Sequence, residues 1–302
     1  MANPQVNRQI EQLLKNNSSN TYSNIKNGVY EGWVSNFNIY KKSDPLHKKK
    51  FSLDLTNDDD LFLLFVLASA WSRTGQYENS LYFILFLRDN GYDTVKKWKN
   101  MNIAQINNLK VSRQNDALNT FNNYIDIRKP DRKPISFRDD FYDSVKILAD
   151  HWKSIKTSLG NSENKNDYSI FINFLRGIPG LGSISKNHKR CMRIKIPLIL
   201  RELRATGGMK NIPGEWCCVP DDRVINKCAP ALRINLKPKG YTYSRDLHKI
   251  TDYSMRNVIK MSEIIYDKFG DLYDIPLFAY EDLDNAGKNQ FKNILVNAGL
   301  IP

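Results

Sequence analysis

The residues best placed to do chemistry lie between positions 195 and 223. Lys195 opens an apolar run, Lys195-Ile196-Pro197-Leu198-Ile199-Leu200. Asp221 and Asp222 follow, 26 and 27 positions later, in Val219-Pro220-Asp221-Asp222-Arg223-Val224-Ile225. A lysine whose surroundings lower its ammonium pKa becomes a nucleophile. A carboxylate stabilises a developing cation, orients a water or activates an amine. Each group also has a plainer role open to it. Asp221, just after Pro220 and before an apolar helix, can be an N-cap. Lys195 can be a solvent-facing lysine on a basic helix.

A second feature lies upstream. Ile178-Pro179-Gly180-Leu181-Gly182 has the make-up of a tight turn. Glycines let a backbone approach a phosphate closely, and the N–H groups of a following helix N-terminus face it. Any tight turn can use such residues, but the basic stretch Lys186-Asn187-His188-Lys189-Arg190 favours a phosphate. So does the net charge of +13, which calls for a polyanionic partner, nucleic acid or an anionic membrane. The longest apolar stretch, Leu61 to Ala70, falls far short of the roughly 20 residues of a spanning helix, and the polar N-terminus shows no signal peptide. No membrane partner is therefore expected, and the expected compartment is the cytoplasm, with the nucleoid, or the nucleus of a eukaryote.

No metal centre is expected. Cys217 and Cys218 are adjacent, unlike zinc ligands, and Cys191 and Cys228 stand apart. The four histidines, His47, His151, His188 and His248, are scattered. Four reduced, partly buried thiols fit a cytoplasmic protein. A hairpin such as 178–182 can still hold a monovalent cation through its carbonyls.

These groups must be carried by helices. Thr56-Asn57-Asp58-Asp59-Asp60 has the caps and first-turn carboxylates of a helix N-terminus. The run from Leu61 to Trp71 is apolar nearly all round and predicts a central buried helix. Periodicity predicts further helices over 5–15, 77–89, 94–98, 103–109, 117–127, 137–159, 168–175 and 254–269, with one or two more over 280–298. Strand signals are few. The fold class is all-α, with an extension and basic loop over 1–55, a helical lobe over 56–160, a hairpin and catalytic segment over 161–235, and closing helices over 236–302.

In the order hairpin, lysine, aspartate, on a basic chain, these segments resemble the helix-hairpin-helix DNA glycosylase superfamily, related to endonuclease III. The likeness covers roughly residues 56–235. In part it is similar to the archaeal 8-oxoguanine glycosylase branch, whose aspartate is followed by one residue and then Arg-Val. The family aspartate usually precedes a His or Arg by two positions and an aliphatic residue by three. Asp221 meets both conditions through Arg223 and Val224, and Asp222 meets only the second through Ile225. Lys195 takes the place of the family lysine, with Lys189 and Lys186 as rivals. Where the family often has a glutamine that fills the hole left by a flipped base, this chain has Trp71, followed by Arg73. An aromatic there can stack on the unpaired base or can be a core residue.

The resemblance implies a two-lobed all-α fold with a DNA- and base-binding cleft between the lobes. It implies an enzyme that flips a damaged or modified base out of double-stranded DNA and cuts its N-glycosidic bond. Asp221 (or Asp222) would stabilise the oxocarbenium ion at C1′. Lys195 (or Lys189) would attack C1′ and add AP-lyase activity. Ile178, Gly180, Gly182, Lys186, Lys189, Arg190, Trp71 and Arg73 would contact DNA, and Trp216 and Trp71 would line the base pocket. The cysteines do not match the spacing of the iron–sulfur cluster that some of these glycosylases carry, so no cofactor is expected. The chain is expected to act as a monomer. The base would be oxidised guanine in repair or a modified cytosine of foreign DNA in defence. The alternative is a non-catalytic helix-hairpin-helix DNA-binding protein, which would keep the basic hairpin without needing Asp221.

Overall fold

The computed structural model describes residues 4–17, 25–26, 29–30, 52–74, 83–84, 86–88, 90–111, 139–178, 181, 195–221, 223–238, 255–270 and 274–302. The protein is predominantly helical. Its described strands are a two-residue antiparallel ladder, β1 (Ile25–Lys26) against β2 (Val29–Tyr30). The chain divides into two compact units, Met1–Trp33 with Arg193–Pro302, and Val34–Met192. These bounds do not follow the four segments expected from sequence. The reason is α1 (Pro4–Asn16), whose Val6, Ile10, Leu13 and Leu14 are buried in a core shared with residues of the C-terminal third.

The Val34–Met192 unit is built around α2 (Asp58–Thr74), in which every residue from Leu61 to Ala70 is buried. A helix apolar on all sides has no face to give to water, so it sits in the middle. Asn57 caps it, its Oδ1 accepting from the Asp59 and Asp60 amides at 2.9 and 3.2 Å. The three aspartates do more than complement the helix dipole. Asp58 accepts from the Trp152 indole at 3.0 Å and pairs with Lys156 at 2.9 Å, Asp59 accepts from the Val95 amide at 2.9 Å, and Asp60 pairs with Arg88. These bonds tie α2 to α3 (Val95–Asn100) and to α4 (Asp139–Gly160). Along α4, Phe141, Val145, Leu148, Trp152, Ile155 and Leu159 form one buried stripe. Trp152 meets Phe62 and Phe65 edge-on at 5.3 and 5.5 Å. A capping box of Asn164 and Asp167 starts α5 (Lys165–Arg176), which packs on α4. The helix expected over 117–127 and the basic loop at 41–50 lie outside the described residues.

The other unit centres on α6 (Lys195–Ala205), buried from Lys195 through Leu203. Its C-terminus is closed by Gly208, which adopts φ +75 and lets the Met209 amide reach back to the Leu203 carbonyl at 3.2 Å. After a 3-10 turn, Gly214–Trp216, the chain forms a π-helix, Arg223–Cys228, running into the short α7 (Ala229–Ala231). Then come α8 (Met255–Phe269), α9 (Asp274–Ala279), a second 3-10 turn over Tyr280–Asp282, and α10 (Asn285–Asn297). Helix α1 packs on α9 and α10, and α8 on the first 3-10 turn. Among the described residues, no helix is long and apolar enough to cross a membrane.

Candidate active site

Helix α6 sets the site. Ile196, Leu198, Ile199, Leu200 and Leu203 are fully buried. Each such side chain stabilises the fold by roughly 1.5–3 kcal/mol. Together they outweigh the cost of drawing the charged residues of the same helix out of water. Lys195, at the first position, is only 2% exposed. Pro197 fits behind it because the first helical turn has no intrahelical use for its missing N–H.

Burial pushes the Lys195 ammonium down from 10.5 to about 8; the Asp221 carboxylate opposes that fall, and the Arg201 guanidinium adds to it. One of the two residues singled out from sequence therefore acts on the charge of the other, Asp221 on Lys195, within one unit. At pH 7.5 about a quarter of such lysines are neutral, against about one in a thousand for an ordinary lysine. The solvent-facing role for Lys195 does not hold, because the helix that carries it has no solvent face over this stretch.

Asp221 is half-buried, where the chain enters the π-helix. Its Oδ1 accepts from the Arg223 amide at 2.9 Å, and its carbonyl accepts from the Ile225 amide at 2.9 Å. It thus caps the helix, and its charge still reaches Lys195. Arg223 pairs with Asp282 at 3.0 Å at the surface and stacks its guanidinium over Phe278 at 4.7 Å. These contacts link the start of the π-helix to the second 3-10 turn, on which it packs. Wide helical turns of this kind are rare and often mark functional sites.

The structure adds residues that sequence reasoning missed. Arg201 pairs with Asp274 at 2.6 Å and lies 3.7 Å from Glu202, all three being buried. The signal was present in α6. A helix buried on every side cannot turn Arg201 and Glu202 to water, so each needs an interior partner. That Asp274 is one of them is not visible in the sequence, since 73 positions separate it from Arg201.

The remaining sequence candidates fall as follows. Ile178 is buried and accepts the Leu181 amide at 3.1 Å, closing a turn in the unit that does not contain Lys195. Gly180, Gly182, Lys186, Lys189, Arg190 and Asp222 lie outside the described residues. Trp71 and Arg73 belong to the last turn of α2 by their backbone, and their side chains lie outside the description. Trp216 is buried, its indole N–H donating to Glu263 at 3.2 Å. Cys217, Cys218 and Cys228 are buried, and the Cys217 thiol donates to the Pro213 carbonyl at 3.4 Å. Burial, with a contribution from the Glu281 carboxylate, pushes the Cys228 thiol far above its ordinary range, which makes it a poor nucleophile. No group of three or more metal-binding side chains occurs among the described residues.

The chain matches no protein-family profile, no curated protein sequence and no solved structure.

Proposed function

We propose that the protein is a DNA glycosylase with a lysine nucleophile, working as a monomer on double-stranded DNA with a two-lobed helix-hairpin-helix architecture. One observation carries the reading: Lys195 is buried at the head of α6, poised near neutrality and under the charge of Asp221. A buried amine within the field of a carboxylate is costly to keep in a fold, and it is what attack on C1′ of a nucleotide needs.

In this reading the target nucleotide leaves the stack and presents C1′ to Lys195. The neutral Nζ attacks C1′ as the C1′–N bond breaks. The base leaves with the bonding electron pair and takes a proton. Asp221 stabilises the positive charge that builds on the sugar and then accepts a proton from the new C1′–NH2+ group. The nitrogen lone pair then expels O4′, which takes that proton back from Asp221, to give a Schiff base, and loss of the C2′ proton expels the 3′ phosphate as a strand break. The target is oxidised guanine or a modified cytosine, in repair or in defence against foreign DNA, in whichever compartment holds that DNA. A second reading also has an observation behind it. The bond from the Arg223 amide to Asp221 is what a purely capping aspartate would make, as in a non-catalytic DNA-binding protein.

Incubating the protein with duplexes carrying single altered bases, with and without alkali, separates the two. Base release with strand breaks before alkali supports the lyase form. DNA binding without base release on any such duplex supports the binding protein.

A further inference from the structure

The unit that carries Lys195 has a surface cavity of about 320 Å3 on another part of the π-helical segment. Its lining is mixed: Pro230 is exposed, Ile225 and Ile234 are buried, and the charged members are Arg233 and Lys237, with no carboxylate in the lining. A shallow hollow with a cationic rim and little exposed apolar surface fits a small anionic group. On a chain of net charge +13, that chemistry points to a sugar–phosphate unit.

The backbone at this rim has an unusual feature. Arg233 has φ 57, the one non-glycine residue in the left-handed region among the described residues. It closes α7, with the Arg233 amide donating to the Pro230 carbonyl at 3.1 Å and the Ile234 amide to the Ala229 carbonyl at 2.8 Å. Glycine, or sometimes asparagine, is the residue this closure favours. An arginine here puts a long cation on the rim at the expense of backbone ease, and its side chain is exposed. A turn in which the Asn235 side chain accepts the Lys237 amide at 3.1 Å brings the second cation round to the same hollow.

We propose that this cavity seats one phosphodiester of the DNA backbone, with Arg233 and Lys237 on the phosphate and the deoxyribose against Pro230. The proposal rests on the reading that the protein works on DNA, and it adds contact residues to those already named. The plainer alternative is that the two cations only offset the negative end of α7.

Fluorescence anisotropy on a labelled, undamaged duplex between 50 and 200 mM NaCl tests this, alongside thermal unfolding of each variant. The variants are Arg233→Gly, Lys237→Gln and, as a control for bulk charge, Lys227→Gln, an exposed lysine outside the lining. The expected result for Arg233→Gly is an unchanged or higher melting temperature, because glycine relieves the backbone, with weaker binding. The slope of log affinity against log salt should shrink by about 0.9 for a lost phosphate contact. Lys237→Gln should also bind more weakly with a shallower slope, and Lys227→Gln should leave the slope alone. Steep wild-type binding that neither cavity variant alters overturns the cavity proposal and leaves the DNA reading standing. Equal losses in all three variants also overturn it, by reducing the effect to bulk charge. A wild type that does not bind the duplex overturns the cavity proposal and the DNA reading together.

Discussion

Replacing Lys195 with methionine should make the protein more stable. Methionine keeps the length and apolar stem of the side chain and removes the buried charge. The ammonium falls from 10.5 to about 8 in the fold, so keeping it protonated there costs about 3 kcal/mol. The sign follows from proton binding. Below pH 8 both folded and unfolded chains hold the proton, and the folded state bears the whole cost. Between about 8 and 10.5 the folded lysine is neutral while the unfolded one is still charged, and the cost fades. The gain from Lys195→Met should therefore be about 3 kcal/mol at pH 7, about 2 at pH 9 and about 1 at pH 10. Urea denaturation of the two proteins side by side at those pH values measures it, and other groups titrating in the same range cancel in the difference. A variant less stable than the wild type at pH 7 would refute the reasoning. So would a gain that stays constant up to pH 10, because either result means that Lys195 is not a buried, depressed ammonium.

Three further outcomes follow from the same geometry. Asp221→Asn keeps an acceptor for the Arg223 amide, so the melting temperature should hold while base release falls about 100-fold or more; full activity would reduce Asp221 to a cap. The same substitution removes the charge that opposes the fall of Lys195, so Schiff-base formation on abasic DNA should reach its half-maximal rate at a lower pH than the wild-type midpoint near 8. Arg201→Met leaves Asp274 buried without its guanidinium and should destabilise the fold by about 3–5 kcal/mol in denaturant titration; a loss under about 1 kcal/mol would mean that the pair is not held in the interior.

Much of the helical framework can be read from local pattern. The all-round apolar run after Asp60 predicts the central helix α2, and the apolar run from Lys195 to Leu200 opens α6. The lysine and aspartate can be picked out by residue type and order. What local pattern does not carry is anything set by distant residues. Lys195 reads equally well as solvent-facing until nine consecutive residues of α6 are found buried. The Arg201–Asp274 pair, the Arg223–Asp282 pair and the bonds from Asp58, Asp59 and Asp60 all join residues far apart in sequence. The π-helix after Asp221 has the same residue types as an α-helix and gives no periodic signal of its own. The polar segment 1–55 reads as an extension, yet Val6, Ile10, Leu13 and Leu14 bring α1 into the core beside α9 and α10.

The central claim is that the Lys195 amine attacks the sugar of DNA. Borohydride trapping on a duplex carrying an abasic site tests it most directly, because reduction freezes the Schiff base as a covalent protein–DNA adduct. The wild type should form the adduct, more readily as pH rises toward 8, and Lys195→Gln should form none while Lys189→Gln still does. An adduct that persists in Lys195→Gln and disappears in Lys189→Gln would contradict the claim.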